Sequence, residues 1–129
     1  MRTNMNAKLR KIPGPEHPIA IEPSGQRLVV SVAGRIVADT RAALKLREAN
    51  YPVAYYIPRK DADMSLLSPT GHSTYCPYKG DCSYYSIPIG GTKSANAVWS
   101  YEEPYPSVAE IKGHLAFYRD RVESIEELP

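Results

Sequence analysis

The segment that decides the fold is residues 28–39, LVVSVAGRIVAD, in the first third of the chain. Leu28, Val30 and Val32 stand two residues apart, so they share one face of an extended strand. A two-residue Ala-Gly turn follows, and Val37 then returns opposite that apolar face. The pattern predicts a β-hairpin that serves as core scaffold and has no functional role of its own.

Short apolar segments on both sides of this hairpin indicate further strands. Twelve prolines in 129 residues favour many short elements over a helical bundle. Residues 40–49 tolerate a helix capped by Thr40, but Leu and basic residues alternate there as in a strand, so a short strand or a single turn is predicted. Residues 68–71 are predicted as a loop. Helical turns are predicted to begin at Asp61 or Asp63 and at Pro106. The further strands are predicted at residues 19–21, 53–57, 82–89, 97–101 and 115–122.

Together these segments predict a mainly β fold, either a small compact β-barrel or a folded sheet, with one or two short helical turns. We expect one domain, because 129 residues suffice for one sizeable core and no linker divides the chain. Residues 1–16 are predicted to be a flexible arm, residues 17–123 the β domain, and residues 124–129 an acidic tail exposed to solvent.

Composition narrows the classes of function. Sixteen basic residues against 14 acidic ones argue against broad electrostatic binding to nucleic acid or to an anionic membrane. Two cysteines are too few for a disulfide scaffold or a four-cysteine zinc site, so we expect no metal and no cofactor. Residues 1–15 lack the apolar core of a secretory signal, and no apolar run has the length of a membrane span. The expected location is therefore cytoplasmic, with reduced thiols.

Residues 74–85, TYCPYKGDCSYY, combine both thiols with a lysine and four tyrosines. Cys76 is the candidate nucleophile, because a nearby Lys79 or His72 would lower the pKa of its thiol. A tight turn in this segment would place Cys82 opposite Cys76 as a resolving thiol or disulfide partner. The alternative is that Cys76 is a buried, inert side chain, which is common for free cysteine.

Several other residues are candidates for ligand binding. Arg41 and Arg59 follow strand-like segments, and each offers a planar fork of donors for a carboxylate or phosphate. Trp99 and Tyr101 share one face of their strand and could wall a cavity. Salt bridges and a tyrosine-rich core are the alternatives. The candidate ligand-binding residues are Arg41, Tyr56, Arg59, Lys79, Tyr84, Trp99, Tyr101 and Glu102.

Six short motifs, spread over nearly the whole chain, resemble the domain-of-unknown-function 427 (DUF427) family of small, mostly bacterial proteins. The motifs are VADTR at 37–41, LRE at 46–48, YYIPR at 55–59, HSTYCPYKG at 72–80, AVWSYEEP at 97–104 and EIKGHLAFY at 110–118.

The resemblance implies a compact β fold similar to the Mss4-like, or β-tent, architecture. Zinc-binding chaperone-like proteins and B-type methionine sulfoxide reductases share that architecture, but their zinc cysteines are missing here, so no metal carries over. Cys82 stands where the family usually has alanine, which implies that Cys82 belongs to no shared mechanism. The family carries no agreed biochemical activity.

Three hypotheses for function follow. The first and preferred one is a module that binds a small anionic or planar ligand in an aromatic-lined pocket near Cys76 and Lys79. The second is a thiol-dependent enzyme with Cys76 as nucleophile and His72 or Lys79 as its activator. The third is an interaction protein that forms a homo-oligomer through its tyrosines. Whether the protein is an enzyme is left open by the sequence.

Overall fold

The structure is a computed structural model that describes residues 8–129. Within them, ten strands form three antiparallel sheets, so the fold is mainly β. None of the three sheets of residues 8–129 closes on itself, so the mainly β prediction is confirmed and the predicted barrel is not found. Five short 3-10 helices connect the strands, at Arg59–Asp61, Met64–Leu66, Pro88–Ser94, Pro106–Ile111 and Arg119–Arg121.

The predicted hairpin forms the centre of the first sheet. Strand β2 (Arg27–Val32) pairs with β3 (Arg35–Thr40), and the turn between them has positive φ at both central residues, Ala33 at 51° and Gly34 at 75°. Positive φ at both positions gives the turn a twist that matches the flanking strands. The other neighbour of β2 is β10 (Ser124–Leu128), the last strand of the chain.

The second sheet has the order β1-β4-β5 and contains Ile19–Pro23, Leu44–Glu48 and Ala54–Tyr56. Of the short strand or single turn predicted within residues 40–49, the structure has the strand, because β4 pairs along its whole length with β1.

The third sheet has the order β6-β7-β8-β9 and contains Ser68–Cys76, Gly80–Ser86, Val98–Ser100 and Ala116–Phe117. Residues 68–71, predicted as a loop, are instead the start of β6, and Ser68 pairs with Ser86. The strand predicted at residues 115–122 is shorter, because a 3-10 helix begins at Arg119.

The third sheet lies between two apolar cores, and alternate side chains enter opposite cores. The first core lies toward the β10-β2-β3 sheet and includes Leu28, Val98 and Phe117. The second lies toward the β1-β4-β5 sheet and includes Leu46 and Ala116. This alternation explains why neighbouring residues of one short strand belong to different parts of the interior.

The two ends of the described chain pack against the sheets. The predicted acidic tail is wrong in part, because residues 124–128 pair with β2 as strand β10. Residues 1–7 of the predicted arm lie outside the described residues, but the amide of Lys11 donates to the carbonyl of Pro77 at 2.9 Å and the hydroxyl of Tyr75 donates to the carbonyl of Leu9 at 2.7 Å. No helix among residues 8–129 has the length and apolar character needed to span a bilayer.

Candidate functional site

The predicted aromatic residues come together in the second core. Tyr56, Tyr84 and Tyr101 are all buried there, on strands β5 and β7 and just after β8. Trp99 lies beside them, and its indole Nε1–H donates to the Tyr56 hydroxyl at 3.1 Å while the two rings meet edge to face. The aromatic cluster therefore exists, and its rings pack against one another as interior side chains.

Lys79 does not present a free charge to a ligand. Its side chain is only 8% exposed and forms an ion pair with Glu48, whose side chain is 9% exposed. The second carboxylate oxygen of Glu48 lies 2.8 Å from Nε2 of His17, and the His17 ring stacks on Tyr78 at 3.9 Å. Lys79 also lies 5.7 Å above the ring of Tyr101. We name Lys79, Glu48 and His17 the buried charge cluster.

The two thiols are not placed as a reactive pair. Thr74 is the partner of Cys82 across the β6-β7 ladder, and Gly80 is the partner of Cys76. Cys76 and Cys82 are therefore diagonal neighbours, which in antiparallel sheets are about 7–8 Å apart and beyond disulfide reach. Both cysteines are free, and burial raises the pKa of the Cys82 thiol.

His72 is exposed and contacts Tyr84 edge-on, with ring centroids 4.5 Å apart. It precedes Cys76 by four residues on the same strand, which corresponds to about 13 Å in an extended chain. That separation is too long for a hydrogen bond between the imidazole and the thiol. The structure therefore does not bring together the predicted nucleophile and its predicted base.

The remaining polar candidates are Arg59, Glu102 and Arg41, and none of them belongs to the buried charge cluster. Arg59 and Glu102 form a half-buried ion pair, with Nη2 of Arg59 at 3.0 Å from both carboxylate oxygens, and Nη1 donates to the Tyr85 hydroxyl at 2.8 Å. Arg59 Nε also donates to the carbonyl of Gly113 at 3.1 Å. Arg41 is exposed in the turn after β3. The salt-bridge interpretation therefore applies to Arg59.

A ligand-sized apolar cleft includes Trp99 in its lining. It has a volume of about 380 Å³, within the range of small-molecule sites, and reaches inward to Leu28 and Val30 at the first core. We call it the inter-sheet cleft, because β2 and β10, β5, and the β8-β9 pair all contribute to it. Its lining residues are Leu28, Val30, Pro52, Val53, Ala54, Tyr55, Ile57, Trp99, Phe117, Tyr118, Arg119 and Ile125.

Aromatic and charged groups lie around the cleft. The rings of Trp99 and Tyr118 are 4.5 Å apart, and the guanidinium of Arg121 lies 4.5 Å from the centroid of Tyr118. Arg119 Nη2 donates to Glu127 Oε1 at 3.2 Å. The pKa of Tyr55 is raised, mainly because its hydroxyl is partly buried and secondly because of the hydrogen-bonded carboxylate of Glu127.

Sequence reasoning found only Trp99 among the cleft residues. Tyr55 was missed although it precedes Tyr56, and the two rings enter different cores because side chains alternate along β5. Tyr118 and Arg119 were missed because residues 115–122 were read as one strand. Adjacent aromatic residues in a predicted strand, such as Tyr55 and Tyr56, face opposite sides of the sheet. This is the sequence signal that could have predicted two separate aromatic surfaces.

Among residues 8–129, no three His, Cys, Asp or Glu side chains are grouped so that they could hold a metal ion.

Comparison with known proteins connects the chain to a protein family. No match is found among curated proteins. The family described as a domain of unknown function (DUF427) matches residues 20–128, nearly the whole chain and including strand β10. The chain therefore belongs to the DUF427 family.

Proposed function

We propose that this protein binds a small planar, mainly apolar molecule in the inter-sheet cleft. The observation that carries the proposal is the cleft itself, a volume of about 380 Å³ whose walls include Trp99, Phe117 and Tyr118. Aromatic walls favour a planar ligand, because flat rings stack on or meet one another edge to face with large contact area. The preferred hypothesis of a binding module is kept, and its site moves from Cys76 and Lys79 to the inter-sheet cleft, whose lining includes neither residue.

The expected affinity follows from buried area. A bicyclic aromatic ring that loses about 200 Å² of apolar surface to the cleft gains roughly 5 kcal/mol at about 25 cal/mol per Å². Association costs several kcal/mol of that gain, so we expect dissociation constants of roughly millimolar or weaker for simple probes.

The thiol-enzyme hypothesis has less support. Its activating cation, Lys79, is bound to Glu48, and His72 is on the same strand about 13 Å away from Cys76 by strand geometry. A binding role needs neither of these groups.

The finer expectations from sequence stay predictions alongside this proposal. They are the Mss4-like architecture, a bacterial source, a cytoplasmic location, a homo-oligomer, and the lack of nucleic-acid and membrane partners.

The experiment uses the neutral planar probe 2-naphthamide and nuclear magnetic resonance. Trp99 is the one tryptophan of the chain, so its indole N–H gives a single unambiguous signal from the cleft wall. We expect a saturable shift of this signal and of the Phe117 and Tyr118 amides on titration.

A matched pair of variants locates the binding. Val53→Phe adds bulk to a half-buried residue of the cleft lining and should abolish the shifts, whereas Ile89→Phe adds an aromatic ring at an exposed residue outside the lining and should leave them unchanged. Shifts confined to Cys76 and Lys79, or no saturable shift, would overturn the proposal.

A further inference from the structure

We propose that Arg119 makes the inter-sheet cleft selective for planar ligands that carry a single carboxylate. This inference rests on the proposed binding function and adds the chemical class of the ligand. Of the described residues that line the cleft, only Arg119 carries a formal charge at neutral pH. The remaining lining is apolar or tyrosine, so a ligand's ionised group has one favourable place to lie.

The guanidinium of Arg119 keeps donors for a ligand. Nη2 donates to Glu127 Oε1 at 3.2 Å and Nη1 to the carbonyl of Ile125 at 3.5 Å, and both distances are at or beyond the upper limit of ordinary N–H···O bonds. Guanidinium has five N–H donors arranged as a planar fork, which suits the two oxygens of a carboxylate. The side chain is 57% exposed, so it can reorient without first leaving the interior.

Strand β10 fixes this charge at the mouth of the cleft. Ile125 and Glu127 are two residues apart on β10, so their side chains lie on the same face of the strand. Ile125 lines the cleft, and Glu127 binds Arg119 at its edge. An apolar ring against Ile125 therefore places a carboxylate substituent next to Arg119.

Glu127 sets the limit on ligand charge. Arg119 can pair the one charge of a carboxylate, whereas a phosphate monoester carries close to two charges. Because no other described residue of the cleft lining is a cation, the second charge would lose water beside apolar side chains and face Glu127 without a partner. A ligand with a single carboxylate can take the place of Glu127 at the Arg119 guanidinium, and Glu127 repels its one charge less than it would repel two. The mouth therefore favours a monoanion over a phosphate monoester.

The test measures dissociation constants of three probes with the same ring by calorimetry: 2-naphthoate, 2-naphthamide and 2-naphthyl phosphate. For the wild-type protein we expect 2-naphthoate to bind about two- to fivefold more tightly than 2-naphthamide, the ratio that corresponds to roughly 0.4–1 kcal/mol for one exposed charge contact. The phosphate should bind more weakly than the carboxylate.

Three variants assign that preference. Arg119→Gln should bring the ratio of the two dissociation constants to about one while 2-naphthamide binding is unchanged. Arg35→Gln removes an exposed arginine outside the cleft lining and should keep the ratio. Glu127→Gln should strengthen binding of the phosphate more than that of the carboxylate.

The outcomes separate the two proposals. Equal binding of 2-naphthoate and 2-naphthamide by the wild-type protein, or phosphate binding tighter than carboxylate binding, would overturn selection by Arg119 and leave the cleft as the binding site. A lack of binding by all three probes would overturn the proposed function as well.

Discussion

Replacing Glu48 with glutamine should destabilise the protein more than any exposed charge substitution. The Glu48 carboxylate accepts hydrogen bonds from Lys79 at one oxygen and from His17 at the other. Glutamine keeps one acceptor but places an N–H₂ group where the second oxygen lies. Lys79, with its side chain 8% exposed, would then be a buried ammonium without a charged partner.

The size of the effect follows from the desolvation of Lys79. Removing one partner of a buried ion pair costs about 3–5 kcal/mol, because the other charge is left uncompensated away from water. The glutamine oxygen can still accept one hydrogen bond from Lys79, so we expect the lower end, about 3 kcal/mol. For a domain of this size that loss lowers Tm by roughly 10 °C.

The assay is equilibrium unfolding in urea, followed by the fluorescence of Trp99 and by circular dichroism. Glu22→Gln is the matched control, because Glu22 pairs with Arg47 at 3.5 Å while both side chains are more than half exposed. An exposed pair of this kind contributes less than about 1 kcal/mol. Equal losses for Glu48→Gln and Glu22→Gln would refute the reasoning that burial makes the charge cluster important.

Three further predictions concern acid stability, thiol reactivity and the Trp99 hydrogen bond. Burial raises the pKa of Glu48, but the hydrogen bonds that it accepts outweigh burial and hold its pKa below the usual 4.5. The ionised carboxylate therefore stabilises the folded protein fully above pH 4.5. This stabilisation is lost as the pH falls through the lower pKa of the folded state. Urea unfolding from pH 6 to pH 2 should show this loss in the wild type and a smaller one in Glu48→Gln. Iodoacetamide should leave Cys82 unmodified in the native state, because its side chain is buried and its thiol pKa is raised, while Cys76 is half-buried and reacts first; peptide mass mapping that shows Cys82 modified first would contradict this. Tyr56→Phe should cost about 1–2 kcal/mol and shift the indole N–H signal, because Trp99 loses its acceptor at 3.1 Å, and an unchanged signal would argue against that bond.

The central hairpin could be predicted because its information is local. Residues 28–39 contain both the period-two apolar pattern and the turn, and the structure has this hairpin. The register shifts by one residue between Val30 and Ser31, so Val30 pairs with Ala38 where an unbroken ladder would pair it with Val37. The shared face of Trp99 and Tyr101 follows from the same periodicity, and both residues pack in or against the second core.

The buried charge cluster could not be predicted, because its members meet only through the tertiary fold. Lys79 stands in a turn beside glycine, a position at which lysine is ordinarily solvated. Its partner Glu48 is 31 residues away along the chain, at the end of β4. Neither residue has a local sequence feature that predicts a buried side chain.

The inter-sheet cleft was also beyond local reasoning. One wall depends on β10, where Glu126 and Glu127 make the sequence look like a solvated tail. The strand forms because Ile125 alternates with polar residues and faces the first core from the edge of the sheet. Its partner β2 is almost a hundred residues earlier, and no turn connects the two strands.

The most direct test of the account is a map of intermolecular nuclear Overhauser effects between bound 2-naphthoate and the protein. Binding in the inter-sheet cleft should give contacts from the naphthyl protons to Phe117, Tyr118 and Ile125, which line it. Saturable binding with contacts to Cys76 and Lys79 instead would contradict it, because the ligand would then occupy the region where the structure has a packed aromatic core and a buried charge cluster.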